Sequence, residues 1–120
     1  MLDVHRDAVT DSGGNMYKVI SETSSGPAAQ MSFVVGTDGG GLPHGAWKDN
    51  LRLAAAVQQR LLQQHPTLMR PITVRNSRYN QHAAPGSLLV EMGAAGNSLQ
   101  EALLSARLFG EALAEVILTA

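Results

Sequence analysis

Two long stretches of this chain carry apolar residues at helical spacing, with short β-favouring runs before and between them. That alternation restricts the fold more than any other feature. The later stretch opens with Ser98 and Glu101 at capping-box spacing and continues through Leu99, Ala102, Leu103, Ala106, Phe109, Leu113, Val116 and Ile117. The earlier one runs from about Trp47 to His65, with Trp47, Leu51, Ala54, Ala55, Gln58, Leu61, Leu62 and His65 in register and Gln58 as the polar lapse. Pro66 ends it, because the residue before a proline is pushed out of the helical region. Strands are predicted at residues 2–5, 16–20, 31–35, 72–74 and 87–91, with the Ser-, Gly- and Pro-rich segment 21–29 as a loop. Residues 16–20 and 31–35 are expected to pair as a hairpin across that loop. Strands alternating with long helices predict an α/β fold with a mostly parallel sheet flanked by amphipathic helices. A chain of 120 residues has room for one domain with a modest core.

Composition removes several classes of function. With 44% apolar and 16% charged residues the chain is not a disordered one. A formal net charge of −1 gives no general attraction to nucleic acid. Lys48, Arg52, Arg60, Arg70, Arg75 and Arg78 nevertheless cluster in the middle of the chain, with Asp49 opposing them. They read either as solvated helix and loop surface or as a mildly basic flank facing an acidic polymer. The absence of cysteine excludes disulfides, thiolate metal sites and a cysteine nucleophile. No apolar run approaches the ~20 residues needed to span a bilayer, so membrane attachment would have to come from regions outside this sequence. Met1-Leu2-Asp3-Val4 reads as a strand already under way, which leads us to expect that the natural chain continues upstream.

In open parallel sheets the ligand crevice lies beyond the carboxyl ends of the strands. Two predicted strands end in residues with chemistry to offer: 2–5 in His5 and 87–91 in Glu91. If the two run parallel, both side chains share one rim. Neutral imidazole is a common metal ligand, and His5 is flanked by Asp3, Arg6 and Asp7; the plainer reading is a strand-end histidine bonded to a loop. Partial burial of Glu91 against the turn at residues 93–96 would raise its pKa toward that of a general base, whereas the alternative is a carboxylate accepting amide hydrogen bonds from the turn. His44, between Pro43 and Gly45, reads as a solvated loop residue, and His65 as a helix-terminal one. His82 could line the rim, though nothing in the sequence fixes its position. No His-x-x-x-His pair exists, the glycine run at 36–41 lacks the Lys-Ser or Lys-Thr of a phosphate loop, and no Gly-x-Ser-x-Gly elbow is present.

Asp3-Val4-His5-Arg6-Asp7-Ala8 resembles a segment of the stage II sporulation protein P family. Met31-Ser-Phe-Val-Val-Gly-Thr37, His44-Gly-Ala-Trp-Lys-Asp-Asn-Leu51, Arg78-Tyr-Asn-Gln81, Leu89-Val-Glu-Met-Gly93 and Gly96-Asn-Ser-Leu-Gln-Glu-Ala102 resemble further family segments, in order and over nearly the whole chain. That family is similar to zinc-dependent N-acetylmuramoyl-L-alanine amidases. The resemblance implies an amidase-like fold in which residues 1–120 form the C-terminal part of a peptidoglycan amidase domain, without its N-terminal part. It implies zinc as cofactor, His5 as one metal ligand, Glu91 as the catalytic acid/base, and Arg6, Asn80, Gln81 and Asn97 as residues that orient substrate or brace the site. The other zinc ligands are expected upstream rather than from Asp7, His44 or His82. The implied reaction is cleavage of the amide between N-acetylmuramic acid and L-alanine during remodelling of the sporulation septum, with peptide cross-link cleavage as a second activity associated with the family. Peptidoglycan and other septal proteins are the implied partners, and the implied location is extracytoplasmic. The alternative is an inactive module that binds peptidoglycan or septal partner proteins.

Overall fold

The computed structural model describes residues 1–7, 13, 19–45, 47–77, 79, 81 and 86–119. Within them lie β1 (Leu2–Asp7), β2 (Ile20–Thr23), β3 (Gly26–Ala29), β4 (Met31–Gly36), α1 (Trp47–Gln64), β5 (Thr73–Arg75), β6 (Leu88–Ala94) and α2 (Leu99–Thr119). Four strands form one sheet in the order β1-β6-β4-β5. β1 runs parallel to β6 and β4 parallel to β5, but β4 and β6 are antiparallel. The fold is therefore mixed α/β, and the expected mostly parallel sheet is only partly parallel. The reason is the route of the chain: β1 and β4 flank β6 from opposite sides and run in opposite directions.

Alternation along the central strands builds the core. Met31, Phe33 and Val35 of β4 and Leu88, Val90 and Met92 of β6 point to one face. Both helices cover that face with Ala54, Val57 and Leu61 of α1 and Leu108, Phe109 and Ala112 of α2. Phe33 and Phe109 meet at 5.9 Å between ring centroids with the planes tilted by 56°, within the centroid range of favourable aromatic pairs.

Each helix turns inward a stripe that only partly matches its apolar spacing: Ala54, Leu61 and Phe109 are in the core and Leu51, Ala106, Leu113 and Val116 pack against it, but the centre of the buried face is shifted. On α2 the buried residues are Glu101, Ser105, Leu108, Phe109 and Ala112, while Leu99, Leu103 and Ile117 are exposed. On α1 Asn50 is fully buried and Leu62 is exposed. Polar side chains occupy these inward positions because each has a partner. Asn50 Oδ1 accepts from the Ser87 amide at 2.9 Å, and the Ser105 hydroxyl donates to the Ala29 carbonyl. The expected capping box forms, with the Ser98 amide donating to Glu101 Oε1 at 2.9 Å and the Glu101 amide to Ser98 Oγ at 3.1 Å. Gln58, the polar lapse in α1, donates to the Arg70 carbonyl at 3.1 Å and so ties the helix to the segment before β5.

The segment 21–29 is not a loop. It is a two-stranded antiparallel hairpin, β2 with β3, turning through Ser24 and Ser25, with Gly26 just after the turn at φ 112°. Ser, Gly and Pro conceal it because Pro27 can donate no ladder bond and is tolerated only on such an edge. β4 takes its place in the main sheet, so the hairpin expected between residues 16–20 and 31–35 does not describe β4's partners. Residues 16–18 of the expected partner strand lie outside the described residues. Near the hairpin's base, the Ser21 and Thr67 hydroxyls meet at 2.6 Å.

Candidate active site

In the parallel pair, Leu2 lies opposite Leu88, Asp3 opposite Leu89, Val4 opposite Val90 and His5 opposite Glu91. Leu88 and Val90 face the helices, so alternation turns Asp3, His5 and Glu91 to the other face. On the far side of β6, Ser32 of β4 lies opposite Glu91. His5, Glu91 and Ser32 thus make one row across three neighbouring strands, whose backbones lie ~4.8 Å apart.

Just past this row the ladder slips. Between the pairs His5–Glu91 and Asp7–Ala94, β1 advances two residues (5 to 7) and β6 three (91 to 94). Gly93 sits in that extra step with φ 76°. A Cβ there would stand 2.6 Å from Asn97 Oδ1 and 2.8 Å from the Ala29 Cβ, so the position has both the backbone and the space of glycine. Such bulges re-aim side chains at the rims of sheets. Beyond this one, Asp7 lines the same cavity as Glu91.

That cavity has a volume of about 340 Å³. Asp7 and Glu91 line it from β1 and β6, Ser32 from β4, and Arg70, Thr73 and Arg75 from the β5 side. Glu91 is partly buried, and its Oε2 is shut off from solvent with no hydrogen-bond partner among the described residues. Burial, and after it the Asp7 carboxylate, raise its pKa above the ordinary 4.5; His5 and Arg75 pull the other way, and Asp3 adds to the rise. The result is a carboxyl group suited to accept and return a proton.

His5 is half exposed, and its Nε2 lies 2.9 Å from Asp3 Oδ1. A carboxylate on one ring nitrogen fixes the tautomer and orientation of an imidazole, as at many metal-binding histidines. A zinc set needs more. Among the described residues no three His, Cys, Asp or Glu side chains converge so as to hold a metal, so these residues alone do not fit a complete zinc site of three protein ligands.

The remaining candidates stand apart from the Glu91 cavity. His5 and Arg6 line a groove toward α2 with Val4, Met92 and Leu103, and His5, though level with Glu91 in the sheet, does not line the Glu91 cavity. Gln81 is buried; its Nε2 donates to the Val34 carbonyl at 2.8 Å and its Oε1 accepts from the Gly36 amide at 2.9 Å. Asn97 is also buried, with Oδ1 accepting from the Ala94 and Val19 amides and Nδ2 donating to the Val19 carbonyl and to Glu101. Asn80 and His82 lie outside the described residues. His44, expected to be solvated, is buried, with 2% of its surface exposed, although Pro43 and Gly45 on either side are exposed. His65 follows directly on α1, its amide bonded to the Leu61 carbonyl at 2.7 Å.

Sequence reasoning passed over Ser32, Thr73 and Asn50. Ser32 carried a signal, being the one polar residue in an apolar strand and out of phase with Met31 and Phe33. Asn50 carried none, since a buried amide looks like any polar helix residue until its partners are known.

Among known proteins, the family model described as Stage II sporulation protein P matches residues 1–117. Comparison with curated proteins gave no match, and neither did comparison with solved structures.

Proposed function

Because the chain belongs to the Stage II sporulation protein P family, associated with peptidoglycan hydrolysis during sporulation, we propose that it carries the catalytic carboxylate of a cell-wall amidase. The bond cut is the amide joining N-acetylmuramic acid to L-alanine, at the sporulation septum on the outer side of the membrane. Among the described residues no helix is long and apolar enough to cross a membrane, so attachment is not assigned to them.

The observation that carries this reading is Glu91. It is a partly buried carboxyl group with a raised pKa, lining a polar cavity and set opposite a histidine on the adjacent strand. In the proposed reaction Glu91 accepts the proton of the attacking water as oxygen adds to the amide carbon. It then returns that proton to the nitrogen as the C–N bond breaks, leaving a carboxylate on the muramic acid and a free amine on alanine. Zinc is part of the proposal, with His5 as one ligand. The described residues do not complete the metal's ligand set, and the proton transfers rest on Glu91. Gln81 and Asn97 serve by bracing the strand ends around the site, since their amides are bonded to backbone. A role for Arg6 toward substrate would operate from the α2 side of β1.

The test is digestion of purified peptidoglycan by the full-length protein and by its Glu91→Gln variant. Release of new amine ends by the first and not by the second is expected. Equal release by both would remove Glu91 from the mechanism, and binding without release by either would favour a peptidoglycan-binding module.

A further inference from the structure

The cavity beside Glu91 is polarised. Its acids, Asp7 and Glu91, come from β1 and β6, and its bases, Arg70 and Arg75, from the opposite side of β4. Among the described residues neither guanidinium has a carboxylate within ion-pair distance, whereas Arg52 and Arg60 elsewhere each have one. Both arginines are mounted on fixed backbone. The Arg70 amide donates to the Met31 carbonyl at 2.7 Å while its own carbonyl accepts from Gln58. Arg75 pairs with Gly36 in the sheet, and its carbonyl accepts from the Thr37 amide at 3.0 Å. Two forked cations lining one cavity, with no carboxylate in ion-pair contact among the described residues, match the planar two-oxygen geometry of a carboxylate. The acids across the cavity would repel a second anion and so set the ligand's direction.

We propose that this cavity selects substrates by a free carboxylate: the ligand is an acidic N-acyl peptide, its carboxylate held by Arg75 and Arg70 and its amide lying against Glu91. The inference rests on the amidase reading for the identity of the bond, but not for the binding of the acid. Recognition of the carboxylate, distinct from cleavage of the amide, is the task of the two arginines.

The test uses the full-length protein and two probes: N-acetylmuramoyl-L-alanyl-D-glutamic acid, and the same compound with its carboxylates converted to carboxamides. Binding is measured by calorimetry and hydrolysis by release of amine. The wild type is expected to bind the acid about tenfold more tightly than the amide, the size of one charge-assisted hydrogen bond. Arg75→Gln, at an exposed position whose backbone pairing the change leaves intact, is expected to remove most of that preference. Arg70→Gln tests the second cation, with circular dichroism checking the fold of both variants. Equal binding of acid and amide by the wild type overturns the proposal, as does a preference that survives both substitutions. So does failure of the wild type to bind either probe. Selective binding without hydrolysis keeps the inference and sinks the amidase reading. Hydrolysis of both probes at one rate, with equal affinity, does the reverse.

Discussion

His5 and Glu91 are direct partners across a parallel strand pair, far apart in sequence yet side by side on the face of the sheet turned away from the helices. The family match over residues 1–117 spans both strand ends, and the sheet supplies what spacing cannot: a register that puts the two side chains level. A slip of one residue in β1 would turn His5 to the helix face and leave Glu91 opposite Val4 or Arg6. The candidate chemistry therefore depends on the bulge and the polar braces that hold that register.

Glu91 should lower stability at neutral pH. Its folded pKa is raised, so it stabilises the fold relative to an ordinary Glu only below the unfolded value of 4.5, and that stabilisation is lost as pH rises through the folded pKa. Glu91→Gln keeps the shape and does not ionise. In urea unfolding at neutral pH the variant should be at least as stable as the wild type, and the difference should narrow below pH 4.5. A variant clearly weaker than the wild type at neutral pH would mean that the ionised carboxylate has a stabilising partner.

Gly93 offers a steric test of the bulge. Its φ of 76° and the 2.6 Å and 2.8 Å approaches to Asn97 and Ala29 leave no place for a methyl group. Left-handed backbone strain and forced overpacking together put the cost of Gly93→Ala at about 2–4 kcal/mol. Chemical denaturation measures it. Gly45 is the control, because a Cβ there meets nothing within 4 Å; Gly45→Ala should change stability by less than about 1 kcal/mol.

The helices and most strands of the main sheet were legible because apolar spacing and turn residues report local structure directly. Trp47–Gln64 departs from the expected helix by a residue, and the Ser98–Glu101 box marks the start of α2. The helix faces were misjudged for a physical reason. Asn50, Glu101 and Ser105 are buried because partners satisfy them, and those partners lie on other elements of the fold or in the cap. The antiparallel step between β4 and β6 was hidden in the same way, as periodicity carries no strand direction. The rim pairing of His5 with Glu91 could be guessed from two strand ends. For the arginine side the sequence left two readings open, solvated surface or a basic flank, and only the placement of β5 beside β4 picks Arg70 and Arg75 out of that run as cavity residues.

Gln81 separates bracing from substrate contact. Its amide continues the ladder of β4 beyond the last β6 pairing, donating to Val34 and accepting from Gly36. Gln81→Leu would strand a buried carbonyl and a buried amide, at about 2–4 kcal/mol. Gln81→Glu keeps the acceptor for Gly36 but sets a second oxygen against the Val34 carbonyl. The Glu variant should therefore be the less stable at neutral pH and should recover toward the wild type in acid, where a protonated carboxyl can donate again. Thermal melts across pH read this out, and a loss of hydrolysis with unchanged stability in both variants would point instead to substrate contact.

Asn97 and Ser98 divide the start of α2 between them, and their substitutions should differ in size. Ser98 gives one cap bond, from its Oγ to the Glu101 amide, so Ser98→Ala should cost about 1 kcal/mol. Asn97 is buried and bonds the Ala94 amide, both backbone groups of Val19, and Glu101, tying the end of β6 to the chain entering β2. Asn97→Ala strands several of these groups at once and should cost about 3 kcal/mol or more. Because the Ala94 amide closes the turn just after Gly93, the same change should loosen the bulge beside Glu91. Amide hydrogen exchange provides the measurement: Asn97→Ala should speed exchange at Ala94 and Ala95, whereas Ser98→Ala should affect the first turn of α2 alone. Equal exchange in the two variants would assign Asn97 to the helix cap and not to the register of the β1–β6 pair.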